Sequence, residues 1–352
     1  MNLSRITDIA GLHRHLHAAL QLEHATIPPY LTALYSIRPG TNSEAYHIIR
    51  AVVVEEMLHL TLAANVLNAV GGTPDLTEPG FMPRYPAYLP DGEEDFRVDL
   101  RRFSQEAIET FLKIERPALS PEDEPPIVAR ERTEGSLRAS HVEDGSTEHF
   151  YSIGEFYRAI SESLEHLHEQ HGAALFSGDP ARQIGPEYYY SGGGDIIAVT
   201  DIHSARAALE LIAEQGEGVT DHVFQEGKEI PHYFRFEQLL LGRYYREGDA
   251  RGEPSGGGVE VDWDAVFPIR TNARVADYPE GSDLRAGAER FNSEYRDFLG
   301  FLTQALQGEP QRFIEAVGDM FRFKEMSCQL MQQPIDGSGG EHAAPTFEVN
   351  LA

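Results

Sequence analysis

Glu23, Glu56 and His59 stand where a helix should carry hydrophobic residues. Leu12, Leu16, Ala19, Glu23, Ile27, Tyr30 and Leu34 step by threes and fours along one helical face. Ala45, Ile49, Val52, Glu56, His59, Ala63, Val66 and Val70 do the same on a second. All three polar side chains therefore point into a helix–helix interface. A buried charge costs several kcal/mol unless it is paired or bound to a metal. Two carboxylates and an imidazole one helical turn apart suit metal coordination; the alternative is a buried hydrogen-bonded network without metal.

One Glu facing a Glu-x-x-His on the next helix is the half-site from which carboxylate-bridged di-iron bundles are built. A second half would need further carboxylates and a histidine. Glu115 shares the face of Ile108, Phe111 and Leu112, so periodicity turns it inward. Glu155 falls opposite the apolar face of Phe156, Ile160, Leu164 and Leu167, with Glu162, His166 and Glu169, which read as a solvated face. Glu217 lies in Gln-Gly-Glu-Gly at a helix end, where a carboxylate is unfavourable without a compensating cation. His232 opens a helix and reads equally as ligand or packing residue. Glu-x-x-His recurs at Glu165/His168 and Glu229/His232, so the spacing alone says little. His13, His15 and His17 are split between faces, and Gly192–Gly194 lacks the Lys-Ser/Thr of a phosphate loop.

The positioning elements read as helices at 8–36, 43–70, 104–116, 152–172, 203–215, 231–245, 288–307 and 310–331. Pro28 and Pro29 predict a kink or break just after Glu23. Arg38-Pro39-Gly40 makes the first two helices an antiparallel hairpin. Residues 73–100 and 117–150 read as long loops, and IIAV (196–199) and GVEVDW (258–263) as short extended pieces. Helices dominate without a strand–helix alternation, which predicts a mainly α fold: a four-helix bundle with a long crossover, few short strands and additional C-terminal helices. We expect a metal-binding bundle over 1–246 and a C-terminal helical extension packed on it over 247–352.

The 352 residues carry a formal charge of −28, which argues against nucleic-acid partners and against docking on an anionic membrane. No apolar run reaches the roughly 18 residues that would span a bilayer. The single cysteine, Cys328, excludes a disulfide framework and a thiolate metal site. With no signal-peptide pattern at the N-terminus, a cytoplasmic location is expected.

LEHATIPPYLTALYSI (22–37), VVEEMLHLTLAANVLNAVGGTP (53–74), FLKIERP (111–117), IGEFYRAI (153–160), QGEG (215–218) and HYFRFE (232–237) resemble the ferritin-like domain of the iminophenylpyruvate dimer synthase group. That group includes the violacein and rebeccamycin chromopyrrolate-type synthases. The resemblance continues through FNSEYRDFLGFL (291–302) and PTFEV (345–349). It implies a ferritin-like bundle holding one or two iron ions, or another divalent metal. In the named synthases this domain is part of a longer polypeptide that oxidatively couples two amino-acid-derived imines.

Carried over by motif, the ligands are Glu23, Glu56 and His59, then Glu217 and His232. Antiparallel third and fourth helices would bring Glu155 beside the last two, which selects Glu155 over the Glu115 that periodicity prefers. The function implied is a non-haem, di-iron-type oxidative enzyme of specialised metabolism. Its reactants would be dioxygen and a small, amino-acid-derived imine or keto substrate, with Tyr30, Tyr35, Tyr157, Tyr233 and Phe236 available to line a pocket. A partner biosynthetic enzyme or a homo-oligomer fits the same reading. The alternative is an iron-binding, storage or accessory protein without its own chemistry.

Overall fold

Asp8 starts the first helix by accepting a hydrogen bond from Gly11 N–H at 2.6 Å, and α1 then runs unbroken over Ile9–Ser36. The structure is a computed structural model that describes residues 3–4, 6–90, 96–117, 147–148, 152–189, 194–216, 223–224 and 230–349. Pro28 and Pro29 do not interrupt α1, contrary to the expectation from their type. Two prolines leave the carbonyls of His24 and Ala25 without their helical donors. The Tyr85 hydroxyl donates to Ala25 O at 2.8 Å and supplies one of them. That cross-link keeps α1 continuous just where its site residues lie.

A short link leads to α2 (Ser43–Ala69), which packs along α1 as the predicted hairpin. The other side of the bundle is built from shorter pieces: α3 (Gln105–Ile114), α4 (Ile153–His171), α5 (Ile202–Gly216) and α6 (His232–Leu241). α3 starts at the Ser36 end of α1, where Phe103 N–H donates to Ser36 Oγ at 2.8 Å, and α4 continues along α1 toward His15, which stacks on Phe156. α5 and α6 lie in the same way along α2, α5 reaching His59 through Gln215 and α6 starting beside Glu55. α4 packs on α5 and α3 on α6. The bundle thus has two continuous helices and two interrupted ones, with both interruptions at the height of Glu23 and Glu56.

The last helices, α7 (Asp283–Leu306) and α8 (Arg312–Met331), pack on each other and against the outer face of α1 and α2. A small second core of Ile269, Tyr278, Leu330, Met331 and Ile335 lies among the C-terminal residues. Among the described residues, the strands are two-residue pieces: β1 (Leu3–Ser4) pairs antiparallel with β2 (Thr147–Glu148). The extended pieces expected at 196–199 and 258–263 form no strand; Gly258 makes an isolated bridge with Arg243. The Asp262 N–H donates to Asn42 Oδ1 at the start of α2 at 2.8 Å and holds the 258–263 stretch in place instead. No described helix is long and apolar enough to cross a membrane.

Candidate metal centre

Glu23 and Glu56 lie midway along α1 and α2, and their carboxylates meet in the interior at 3% and 2% exposure. The Thr26 hydroxyl ties the two helices together, donating to Glu23 O at 2.8 Å and to Glu56 Oε2 at 2.9 Å. His59, one turn along α2, places Nδ1 3.4 Å from Glu23 Oε2. Its Nε2 lies 2.9 Å from the Gln215 amide oxygen, so the proton belongs on Nε2 and the Nδ1 lone pair faces the carboxylates.

The interrupted helices complete the cluster. Glu115 occupies the C-cap of α3 and receives the Tyr30 hydroxyl on Oε1 at 2.5 Å. His232 is the first residue of α6, with Nδ1 2.9 Å from Glu56 Oε1 and 3.5 Å from Glu115 Oε2. Its Nε2 binds Glu55 Oε2 at 2.7 Å, and Glu55 is held in turn by Arg235 at 2.8 Å. The imidazoles of His59 and His232 stack with centroids 5.3 Å apart. Two groups result, Glu23–Glu56–His59 and Glu56–Glu115–His232, in each of which the ligand atoms lie within 4.8 Å of one another. Glu56 belongs to both.

The electrostatics are those of a site built for cations. Burial, reinforced by the charge of Glu115, pushes the Glu56 carboxyl up to about 7. Burial opposes protonation of His232, but Glu115, Glu55 and Glu56 outweigh it and raise its pKa well above the ordinary value. His59 is raised for the same reason by Glu23. A carboxylate at a helix C-terminus and an imidazolium at a helix N-terminus both oppose the helix dipole, and Glu115 and His232 take those positions.

These residues fit a metal pair. His232 Nδ1 is fully buried and, among the described residues, none of its carboxylate neighbours is aligned to hydrogen-bond it. An imidazole whose other nitrogen is fixed by a carboxylate, and whose free nitrogen faces two more, is the arrangement of a metal-ligating histidine. Three carboxylates and two imidazoles suit iron, manganese or zinc better than calcium.

The structure brings together Glu23, Glu56, His59 and His232 of the residues expected from sequence. Glu155 joins neither group: it is half-buried in the first turn of α4, where Ser152 caps its N–H at 3.1 Å. Two residues on, Tyr157 takes the inward direction and donates its hydroxyl to Glu23 Oε1. Glu115, the choice of periodicity, occupies the place expected of Glu155. Glu217 lies outside the described residues. Glu55, Arg235, Gln215 and Thr26 were not singled out in the sequence. The Glu55-Glu56 doublet was the available signal, since its first member points about 100° away toward α6.

A sequence model of the ferritin-like family matches residues 16–241. The chain belongs to the ferritin-like family. It is similar to the dichlorochromopyrrolate synthase of Lentzea aerocolonigenes, with 24% identity over 339 residues that cover 85% of this chain. The match takes in 29% of that relative, so the chain spans less than a third of its length. A crystal structure of a ferritin-like protein from Caulobacter vibrioides shares the fold, with a TM-score of 0.58 and 22% identity over 92% of this chain and 98% of that one. Against the four unbroken helices of a simple ferritin-like bundle, this member supplies Glu115 and His232 from the ends of interrupted ones.

Proposed function

We propose that this ferritin-like protein is a di-iron oxidative enzyme acting on a small amino-acid-derived imine or keto acid. The observation that carries the reading is the sharing of Glu56 between two buried carboxylate–imidazole groups whose histidines both turn Nδ1 inward. Glu23 and His59 would help hold one ion and Glu115 and His232 the other, and Glu56 belongs to both groups. When bound, iron supplies the electrons with which dioxygen is activated for substrate oxidation.

The chain's own residues set the conditions for that chemistry. Gln215 and the Glu55–Arg235 pair fix the tautomers and planes of the two imidazoles. Tyr30 and Tyr157 hold protons against Glu115 and Glu23, each within hydrogen-bond reach of a ligand carboxylate. Phe111 and Phe236 pack around Tyr30 and keep water from that side. The substrate class is supported by the likeness to a relative named for the synthesis of dichlorochromopyrrolate.

The test is oxygen uptake by the iron-loaded 352-residue chain. Uptake that requires an added aromatic imine or keto acid, and that is lost in Glu56→Ala, is the expected result. Iron oxidation that proceeds at the same rate without any organic substrate would instead identify a storage protein. Failure to retain iron, manganese or zinc above background would remove the metal reading altogether.

A further inference from the structure

On the side of the α1–α2 hairpin away from the carboxylates, a cavity of about 250 Å³ opens between that hairpin and α7–α8. Its walls are apolar and largely aromatic, including Leu31, Val53, Met57, Phe298, Phe313 and Phe323. Ile27 and Met57, the residues that follow Thr26 and Glu56, line it, whereas none of the carboxylate–histidine ligands does. The wall between cavity and metal centre is therefore the helix pair itself.

The charges at this cavity run against those of the chain. The protein has 57 acidic residues and 29 basic ones, but among the described residues no aspartate or glutamate lines the cavity. Among the described residues, the exposed ones that line it are Arg50, Lys324 and Phe321, which thus form its mouth. Lys324 lies over the Tyr46 ring at 5.2 Å, and neither cation has an ion-pair partner among the described residues. An aromatic-walled recess with two cations at its mouth is complementary to a flat apolar body that ends in a negative group. A volume of about 250 Å³ suits a small molecule.

We propose that this cavity is a second ligand site, taking a small aromatic carboxylate with its ring between α1, α2 and α7–α8 and its carboxylate between Arg50 and Lys324. The site does not depend on the metal reading, because none of its residues belongs to the carboxylate–histidine cluster.

The experiment is calorimetric titration of the metal-free full chain at neutral pH with indole-3-acetate and with its uncharged counterpart indole-3-acetamide. Saturable binding of the acid, with the amide weaker by about tenfold or more, is expected. Arg50→Gln and Lys324→Gln should each weaken the acid by about tenfold and leave the amide unaffected. Val317→Trp, which fills the cavity from α8, should abolish both while the thermal transition shows a folded protein. Equal binding of acid and amide, insensitivity to the two charge changes, or loss of binding in Glu56→Ala would overturn the proposal. So would an absence of binding at millimolar ligand, or a shift in sedimentation showing that Val317→Trp displaces a second copy of the chain.

Discussion

His232 stands between two neighbouring glutamates of α2, with Nε2 2.7 Å from Glu55 and Nδ1 2.9 Å from Glu56. The two carboxylates have different work. Glu55 is paired with Arg235 and its carboxyl is held below the usual range, with burial opposing this and His232 and Arg235 outweighing it. It orients the ring. Glu56, with a raised carboxyl, is the one available to a cation.

Replacing Glu55 by Gln should therefore weaken metal binding without removing a ligand. Loss of a carboxylate behind a ligating histidine costs roughly 10- to 100-fold in affinity. Arg235→Gln should act in the same direction. Competition titration with a chelator of known affinity measures both, and unchanged affinity in Glu55→Gln would count against His232 as a ligand.

The sharing of Glu56 sets a pattern for stoichiometry. Metal analysis of purified variants should show both ions lost in Glu56→Ala, one in His59→Ala and the other in His232→Ala. Glu115→Ala should lose metal as His232→Ala does, and Glu155→Ala should retain it. The reverse result for Glu115 and Glu155 would restore the ligand set that the helix-pairing argument selected from sequence.

That pair shows where sequence reading works and where it stops. Glu23, Glu56 and His59 were legible because α1 and α2 are long, regular and buried, so a polar residue on their seam is conspicuous. Glu115 was visible on the face of Ile108, Phe111 and Leu112 as well. Antiparallel pairing of the helices at 152–172 and 203–215 selects Glu155 instead, because it puts Glu155 level with Glu217 and His232. Sequence periodicity records faces, but it does not record that α3 and α4 lie end to end along α1, or that α5 and α6 do so along α2. Those relationships place Glu115 and His232 at one height, and they depend on contacts between residues 67 to 177 positions apart. Pro28 and Pro29 misled for a related reason, since the hydroxyl that supports α1 there comes from Tyr85 in a loop.

Tyr85→Phe should accordingly destabilise the protein. The Ala25 carbonyl would be left buried without its donor, a loss of about 1–3 kcal/mol. Chemical denaturation would show a lower midpoint with an unchanged slope. No change in midpoint would mean that α1 holds its proline step unaided.

Tyr30→Phe removes a donor from Glu115 in the same way. In metal-free protein the expected loss is again about 1–3 kcal/mol. Metal should recover part of it, because a cation satisfies the carboxylate oxygen that the phenol leaves open. Equal losses in the presence and absence of metal would separate Tyr30 from the centre.

His15 gives a pH dependence that does not involve the centre. It is buried against Phe156, its Nδ1 lies 2.9 Å from Gly11 O, and burial holds its pKa below the ordinary value. The folded state thus keeps the ring neutral at pH values where the unfolded chain, with a pKa of about 6.5, takes up a proton. Its contribution is complete above that value and is lost as pH falls through it toward the folded pKa. Relative to His15→Leu, the wild type should lose stability progressively below about pH 6.5. Parallel stability curves for the two proteins would show that the histidine is not titrating differently in the folded chain.

The two interruptions in the bundle also bear on how such a protein can diverge. Inserting one residue into α1 or α2 would rotate everything beyond it by about 100° and scatter Glu23, Glu56 and His59. The joints between α3 and α4 and between α5 and α6 carry no such penalty. Chain can be added or removed there while the flanking helices keep their register on α1 and α2, and two of the flanking helix ends, at Glu115 and His232, lie beside the carboxylates. A lineage built on this plan can rework the approach to its reactive centre by insertion and deletion, leaving the inherited ligand frame untouched.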